Sequence, residues 1–319
     1  MKYFLPIYVF FLVSTVLKAQ QLPLFTQYQE YYSILNPAAI STDYITKGYN
    51  MSFGGSIRRQ WTNIDNNPQT QILRGNYIFQ GDAASLNTGL HIIKDQTGPT
   101  GFTGAYLRLA GIVGNNDNGG FSAGFNAGLA QFRLNGSQIE FADPTDALAN
   151  RDYKTLYPDV GLGVFAYRRI NQNGFLDGDH ISAGFSVPQV FGLDLTFREH
   201  DKNFTIKRLP HYYAMFGYYR HLGDDSFIES SVWFRYVKNV PINADIKCRY
   251  QMNSFISMGL GYSTNKSVHA EIGLLLGENM GWDTHAIKIG YGYDMPFGTI
   301  SPYFGVAHEI NLSFALDTR

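Results

Sequence analysis

Hydrophobic and polar residues alternate along much of the chain. From Ile242 to Tyr250, every even position is apolar and every odd position is polar or charged. Because successive side chains of a β-strand point to opposite faces, this pattern predicts a strand with one apolar and one polar face. Segments 121–129, 268–276, 285–293 and 309–316 alternate in the same way. The pattern therefore predicts an all-β chain.

Segments of this kind follow one another from about residue 47. Their cores lie near residues 49–57, 70–79, 86–93, 102–109, 121–132, 160–168, 180–187, 211–221, 227–236, 242–250, 255–262, 268–276, 285–293 and 308–316. Each has about ten residues, the length of a tilted strand that crosses a membrane, and bacterial barrels have even strand numbers. We therefore predict a transmembrane up-and-down antiparallel β-barrel of about 14 strands over residues 47–319.

The connections between these segments support the barrel. Long connections, such as 58–69, 133–158, 187–210 and 294–307, tend to alternate with short ones, such as 81–85 and 222–226. Outer-membrane barrels have long exterior loops and tight periplasmic turns. The alternation of long and short connections is imperfect here. Two connections predicted as periplasmic turns, 171–179 and 277–284, are long, and one predicted exterior loop, 237–241, is short.

The composition fits a surface that does not face water. Of the 319 residues, 16% are charged and 15% aromatic, whereas soluble domains carry about 25% charged residues. A soluble β-sandwich is the alternative, but its solvated faces would carry many Lys, Glu and Thr residues. Here the non-apolar faces are mostly Gly, Ser, Asn and Ala. Small polar residues suit the interior of a narrow barrel, so we favour the barrel.

Charge and chemistry exclude several function classes. The net charge of −1 gives no basic patch for nucleic acid. The single cysteine, Cys248, rules out an internal disulfide or a thiolate cluster and is predicted on the apolar face of its strand. The eight histidines have no metal-ligand spacing, and no nucleophile motif or phosphate loop is present. We predict no catalytic, cofactor-binding or metal-binding residues.

The N-terminus predicts export. Residues 1–19 combine an early Lys2, an apolar stretch and Ala19, the layout of a secretory signal peptide. A membrane anchor is the alternative, but the apolar stretch is short and contains Pro6. Residues 20–46 are then predicted as an N-terminal periplasmic or plug segment, with a turn at Asn36-Pro37. On the barrel reading, this segment starts in the periplasm and either enters the lumen or meets a partner.

The segment after the first predicted strand is a candidate partner-binding site. It contains Arg58, Arg59, Trp61, Asp65 and Pro68. Arginine and tryptophan are favoured at binding hot spots, so these residues at a barrel rim could anchor a partner protein. A rim aromatic with ordinary interfacial charges is an alternative of equal weight.

Several short motifs in order carry a family resemblance over most of the chain. They are Pro23–Tyr28 leading to Asn36–Ala38; Arg59–Trp61 with Ile64, Pro68 and Thr70; Gly89–Asp95 with Gly98-Pro99; Gly184–Pro188; His211–Tyr213 with Gly217-Tyr218; and Gly290–Asp294 with His308–Ile310. With these motifs the chain resembles the PorP/SprF family of type IX secretion system outer-membrane proteins of Bacteroidota. Ile40-Ser41 and Asn66-Asn67 depart from the usual pattern.

The resemblance implies a non-enzymatic outer-membrane component of protein secretion or gliding motility. Its implied partners are outer-membrane lipid, the C-terminal domain of a secreted protein such as a cell-surface adhesin, and periplasmic ring components of the secretion system. We expect the exterior loops to hold the secreted protein. Phe25, Tyr28, Asn36 and Pro37 are candidate contacts to periplasmic partners. A porin-like channel for small solutes is the competing function, and a lipid-modifying barrel enzyme is a weaker one.

Overall fold

The computed structural model describes residues 25–116, 119–139, 152–170, 178–191, 194–199, 202–223, 226–252, 255–298 and 301–319. The predicted signal peptide lies outside the described residues. No helix in the described part of the chain has the length and apolar character needed to cross a membrane.

The chain forms a closed barrel of fourteen antiparallel strands, together with a separate two-stranded hairpin. The strands are β1 (Met51–Arg59), β2 (Gln69–Phe79), β3 (Ala84–Thr97), β4 (Thr100–Asn116), β5 (Gly119–Asn135), β6 (Asp152–Arg169), β7 (His180–Val187), β8 (Asp194–Glu199), β9 (Lys202–Lys207), β10 (His211–Gly223), β11 (Ser226–Val237), β12 (Asn243–Met252), β13 (Ile256–Ser263), β14 (Ser267–Leu276), β15 (His285–Pro296) and β16 (Ala307–Leu316). The first and last strands close the barrel, with Met51 opposite Leu316 and Arg59 opposite His308. The predicted barrel and its strand number are confirmed.

Two details of the predicted strand pattern are corrected. Strands β8 and β9 form the hairpin inside the predicted loop 187–210. Strands β4, β5 and β6 have 17, 17 and 18 residues, more than the roughly ten that cross a membrane. The predicted loop 133–158 is correspondingly shorter, because residues 152–159 continue the alternation of β6.

Strand parity separates an apolar outer face from a polar lumen. On β12, Ile246 and Cys248 are exposed on the outer face, while Asp245 and Lys247 are buried inside. Large apolar side chains such as Leu260 are exposed around the barrel. Exposed apolar side chains at alternate positions are typical of a lipid-facing barrel surface. The predicted outward position of Cys248 is confirmed.

The barrel has two distinct ends. The terminal end holds the start of β1 and the end of β16. The loop end holds the connections 60–68, 188–210 and 297–306. At the terminal end, Thr318 N donates to Asn50 Oδ1 at 3.0 Å and Arg319 donates to the Gly48 carbonyl at 2.9 Å. These bonds fix the two chain segments that flank the barrel.

The described chain before β1 lies inside the barrel, and we call Phe25–Gly48 the plug. It contains a 3-10 turn (Tyr28–Tyr31) and the short helices α1 (Tyr32–Leu35) and α2 (Thr42–Lys47). Helix α2 begins at Ser41, whose hydroxyl accepts from Tyr44 N, and ends at Gly48 with a φ of 76°. A capping hydroxyl and a left-handed glycine are standard helix ends. A third helix, α3 (Ser301–Phe304), lies at the loop end.

Candidate functional site

The centre of the plug is the turn at Asn36-Pro37, which is completely buried in the lumen. Asn36 Oδ1 accepts from Ala38 N at 2.9 Å, which closes the turn. Asn36 Nδ2 donates to the Val164 carbonyl of β6 at 2.9 Å. The asparagine therefore shapes the turn and also ties it to the barrel wall.

Arg108 of β4 holds the same turn from the other side. Its guanidinium donates to the carbonyls of Pro37 and Ala39, each at 3.1 Å. It also donates to Asn76 and Asn87 on neighbouring strands. A buried guanidinium needs several acceptors, and here the plug backbone supplies two of them.

Glycines in the wall make room for the plug. At Gly163 of β6, a Cβ atom would overlap Asn36 Oδ1. At Gly184 of β7 it would lie 2.7 Å from Asn36 Nδ2, and at Gly124 of β5 it would lie 2.8 Å from the Pro37 carbonyl. Real Cβ atoms do not approach so closely, so only glycine permits this fit. The wall is shaped to the Asn36-Pro37 turn.

Glu30 anchors the middle of the plug. Its carboxylate lies 3.1 Å from Arg249, 3.3 Å from Arg74 and 3.7 Å from Lys288. Burial disfavours its charged form, but these cations outweigh burial and hold its pKa well below the ordinary value. The stability from these pairs is therefore present above the ordinary carboxyl pKa and is lost only as pH falls through the lowered one.

A second ionic cluster fixes the Phe25 end of the plug. Arg58 of β1 pairs with Asp294 and, at 3.2 Å, with Glu309. Arg58 also donates to Thr26 Oγ1. Glu309 accepts from the backbone N–H groups of Thr26 at 2.9 Å and Gln27 at 3.2 Å. One buried arginine and one buried glutamate thus join the plug to the two strands that close the barrel.

The cluster continues around the wall through His269 of β14. Its ring contacts Asp294 at 2.7 Å and Asp245 at 3.2 Å, and Asp245 pairs with Arg235 at 2.5 Å. Among the described residues, no group of histidine, cysteine and carboxylate side chains is arranged to hold a metal ion. These contacts link neighbouring strands electrostatically.

A cavity of about 320 Å³ lies at the loop end above this cluster. Phe25, Arg58, Trp61, His269 and Gly305 contribute to its lining. Two smaller cavities beside the plug measure about 40 and 30 Å³, room for roughly one or two waters each. The plug fills the lumen much more completely below Phe25 than at the loop end.

The predicted partner-binding residues separate into two groups. Phe25, Tyr28, Asn36, Pro37, Arg58 and Pro68 are buried. Arg59, Trp61 and Asp65 are exposed. The first described residue, Phe25, lies near the loop end. The expectation that this segment starts in the periplasm stays a prediction. Partner binding by the plug residues would require the plug to move.

The sequence did not reveal the charged residues that hold the plug. None of the predicted site residues is Arg108, Glu30 or Glu309. Glu309 nevertheless lies in the His308–Ile310 motif of the family resemblance, at a position that strand parity predicts to face inward. A useful signal was present in the inward positions of β12, where Asp245, Lys247 and Arg249 follow one another. Charges at consecutive inward positions indicate a lumen that contains partners for them.

Comparison with known proteins gives the family. The family described as type IX secretion system membrane protein PorP/SprF matches residues 17–314. The chain belongs to the PorP/SprF family. A search of curated proteins finds no match. The motif Asn36–Ala38, which carried part of the resemblance to PorP/SprF proteins, is the buried turn of the plug.

Solved structures share the PorP/SprF chain's fold at low identity. The toluene transporter TbuX of Ralstonia pickettii is 12% identical with a TM-score of 0.54, covering 89% of this chain and 92% of that one. The toluene transporter TodX of P. putida is 9% identical with a TM-score of 0.55, covering 90% and 94%. A Pseudomonas aeruginosa FadL homologue is 10% identical with a TM-score of 0.51, covering 90% and 94%. Family and fold together point to the outer membrane.

Proposed function

We propose that this PorP/SprF chain is a closed outer-membrane barrel of the type IX secretion machinery that binds a secreted protein at its loop end and passes no solutes. The plug carries this proposal. It makes hydrogen bonds or ion pairs to β1, β2, β3, β4, β6, β7, β11, β12, β15 and β16. Contacts to so many strands stabilise the plug inside the lumen.

The loop end is proposed to face the cell exterior. Outer-membrane barrels place long loops outside and short turns in the periplasm. The loop end carries the connections 60–68, 188–210 and 297–306, whereas Gln80–Ala83 joins β2 to β3 at the terminal end. The terminal end, with α2 and the C-terminal residues, is then the surface available to periplasmic ring components.

An exposed aromatic patch marks the proposed docking surface at the loop end. Trp61 is 41% exposed and Tyr303 is 75% exposed. The Trp61 ring lies 5.1 Å from the Phe304 ring, and Thr62 N donates to the Val306 carbonyl at 3.2 Å. Two loops therefore support one another and present large rings, the residue type that dominates binding hot spots.

The closed lumen predicts electrical silence. The purified barrel inserted into planar bilayers should show no stable single-channel conductance, because the plug blocks the lumen. A variant that lacks residues 25–48 should conduct and serves as the positive control. Steady conductance of the complete chain would favour the porin-like function and contradict a closed docking barrel.

The docking surface predicts a loss of partner binding. Replacing Trp61 with alanine should reduce recovery of a secreted protein with the tagged barrel about 30-fold, since a hot-spot tryptophan contributes about 2 kcal/mol or more. Trp282→Ala at the terminal end is the matched control and should leave recovery unchanged. Quantitative mass spectrometry of the co-purified proteins measures both.

The same purification tests the partner class. Recovery of a large surface adhesin would favour a role in adhesin retention, as in gliding motility. Recovery of many exported proteins with ring components would favour a role in the core secretion apparatus. Recovery of neither class with the unmodified barrel would contradict the proposed function.

A further inference from the structure

A groove of about 1,290 Å³ runs down the outside of the barrel across the β1–β16 closure. We call it the outer groove. Its floor is Gly55 of β1, which lies opposite Leu73 of β2 and Leu312 of β16. Because glycine has no side chain, the flanking leucines leave a depression between them. The groove lies on the face of the barrel that parity assigns to lipid.

The lining of the outer groove changes in character along the strands. Near the loop end it is polar, with Arg59, Lys94, Gln71, Thr103 and His308. Toward the terminal end it is apolar, with Phe53, Leu73, Leu312 and Phe314 among its residues. Ile57 lies between the two parts, directly opposite Gln71. A groove with one polar and one apolar end matches a molecule with a polar head and an apolar tail.

The length of the outer groove compares with the depth of one membrane leaflet. Arg59 and Phe53 are six residues apart on β1, which corresponds to about 20 Å along a strand. A tilt of about 40° reduces this length to about 15 Å along the membrane normal. That depth is half of the roughly 30 Å hydrocarbon core. A groove of this length can hold a lipid with its head group at the polar end and its chains within the leaflet on the loop-end side.

The charge at the polar end is positive and uncompensated. Among the described residues, none that lines the outer groove is acidic. Within the described part of the chain, neither Arg59 nor Lys94 pairs with a carboxylate, although both side chains are exposed. Two cations beside an apolar groove would attract an anionic lipid head group.

We propose that the outer groove binds a phosphorylated glycolipid of the lipid A class from the leaflet at the loop end. Arg59 and Lys94 contact its phosphate, and the acyl chains lie over Gly55 between Leu73 and Leu312. Arg59 thus binds lipid on the outer surface, while its neighbour Arg58 holds the plug inside. The inference rests on the outer-membrane location and on the proposed exterior position of the loop end, because lipid A is the phosphorylated lipid of the exterior leaflet. It does not depend on the identity of the secreted partner.

A second outer groove provides an internal comparison. It measures about 970 Å³ and lies across β6, β7 and β10 to β13. Its arginine, Arg168, lies near the terminal end of β6, the opposite end from Arg59. Removing this charge changes the net charge of the barrel without touching the proposed site.

The test is binding of lipid A to the folded, detergent-purified barrel, measured by native mass spectrometry. Each cation near a lipid surface contributes about a fivefold change in affinity, so R59Q/K94Q should weaken binding of diphosphorylated lipid A about 25-fold. The Arg168→Gln control should bind like the unmodified barrel. A heat-modifiability gel confirms that each variant is folded.

Four outcomes would overturn the proposal. If Arg168→Gln weakens lipid A binding as much as R59Q/K94Q does, the lipid is attracted by the net charge of the barrel and not by a specific site. Equal binding of dephosphorylated lipid A would show that the phosphate is not recognised. Equal binding of phosphatidylglycerol would assign the groove to glycerophospholipid instead. Unchanged binding by R59Q/K94Q would exclude the groove altogether.

Discussion

Replacing Arg58 with leucine is expected to release the Phe25 end of the plug. The change removes the cation that pairs with Asp294 and Glu309, and both carboxylates remain buried. Removing one partner of a buried ion pair costs about 3–5 kcal/mol, because the remaining charge has no compensation. All three side chains stand on wall strands, so most of this cost falls on the barrel closure. The plug itself loses the hydrogen bond that Arg58 donates to Thr26 Oγ1, and a hydrogen bond to a charged group contributes about 1.5–3 kcal/mol.

This cost predicts a measurable opening of the plug. Each 1.4 kcal/mol is tenfold in an equilibrium, so loss of this hydrogen bond should raise the detached fraction by about 10- to 100-fold. Hydrogen exchange of the Thr26–Leu35 backbone amides measures the change directly, and planar bilayers should show transient conductance. The sequence predicts Arg58 as a partner-binding residue at the rim, whereas the structure places it inside the lumen. Because Arg58 is buried against the plug, its replacement should change hydrogen exchange of the plug.

The adjacent residue is a matched control for Arg58. Arg59→Leu removes the same charge one position along the chain, but its side chain is exposed on the outer face. Hydrogen exchange of the plug should match that of the unmodified barrel. If Arg58→Leu leaves plug protection unchanged, the ionic cluster does not hold the plug, and the closed-lumen proposal loses its main support.

Replacing Gly163 with alanine is expected to displace the Asn36-Pro37 turn. The new methyl group would overlap Asn36 Oδ1, which already accepts from Ala38 N. Because Asn36 Nδ2 is also bonded to Val164, the side chain cannot rotate away without losing a buried hydrogen bond. Overpacking of this kind costs about 1–3 kcal/mol.

The outer face offers the matched control for Gly163. A Cβ atom at Gly111 of β4 has nothing within 4 Å, and the residue is exposed. Gly111→Ala adds the same methyl group to a strand without meeting the plug. We expect faster hydrogen exchange around residue 36 and a lower unfolding temperature for Gly163→Ala only. Equal behaviour of the two variants would mean that the wall glycines serve the strands and not the plug.

The period-two pattern was sufficient to predict the strands because burial in a barrel is decided strand by strand. Ile246 is exposed on the outer face and Asp245 is buried in the lumen because adjacent residues of β12 point to opposite faces. The pairing of Arg58 with Asp294 was not predictable in this way. It depends on where two inward positions come together across the closed barrel, 236 residues apart in sequence.

The plug and the hairpin also could not be predicted fully from the local sequence pattern. The Asn36-Pro37 turn was visible in the sequence, but the alternatives of lumen and partner stayed open, because the wall glycines that receive it belong to β5, β6 and β7. Strands β8 and β9 have only six residues each. They are too short to resemble membrane-spanning strands, so the pattern places them within the predicted loop 187–210.

The bond between Thr26 and Glu309 links positions 283 residues apart, almost the full described length. Strand β16 supplies Glu309 and also seals the barrel against β1. The binding site for the Phe25 end of the plug is therefore complete only when β16 has paired with β1, because Glu309 and Arg58 stand on these two strands. Contacts between positions so far apart in sequence form slowly, so we expect docking of the Phe25 end to be a late step in folding.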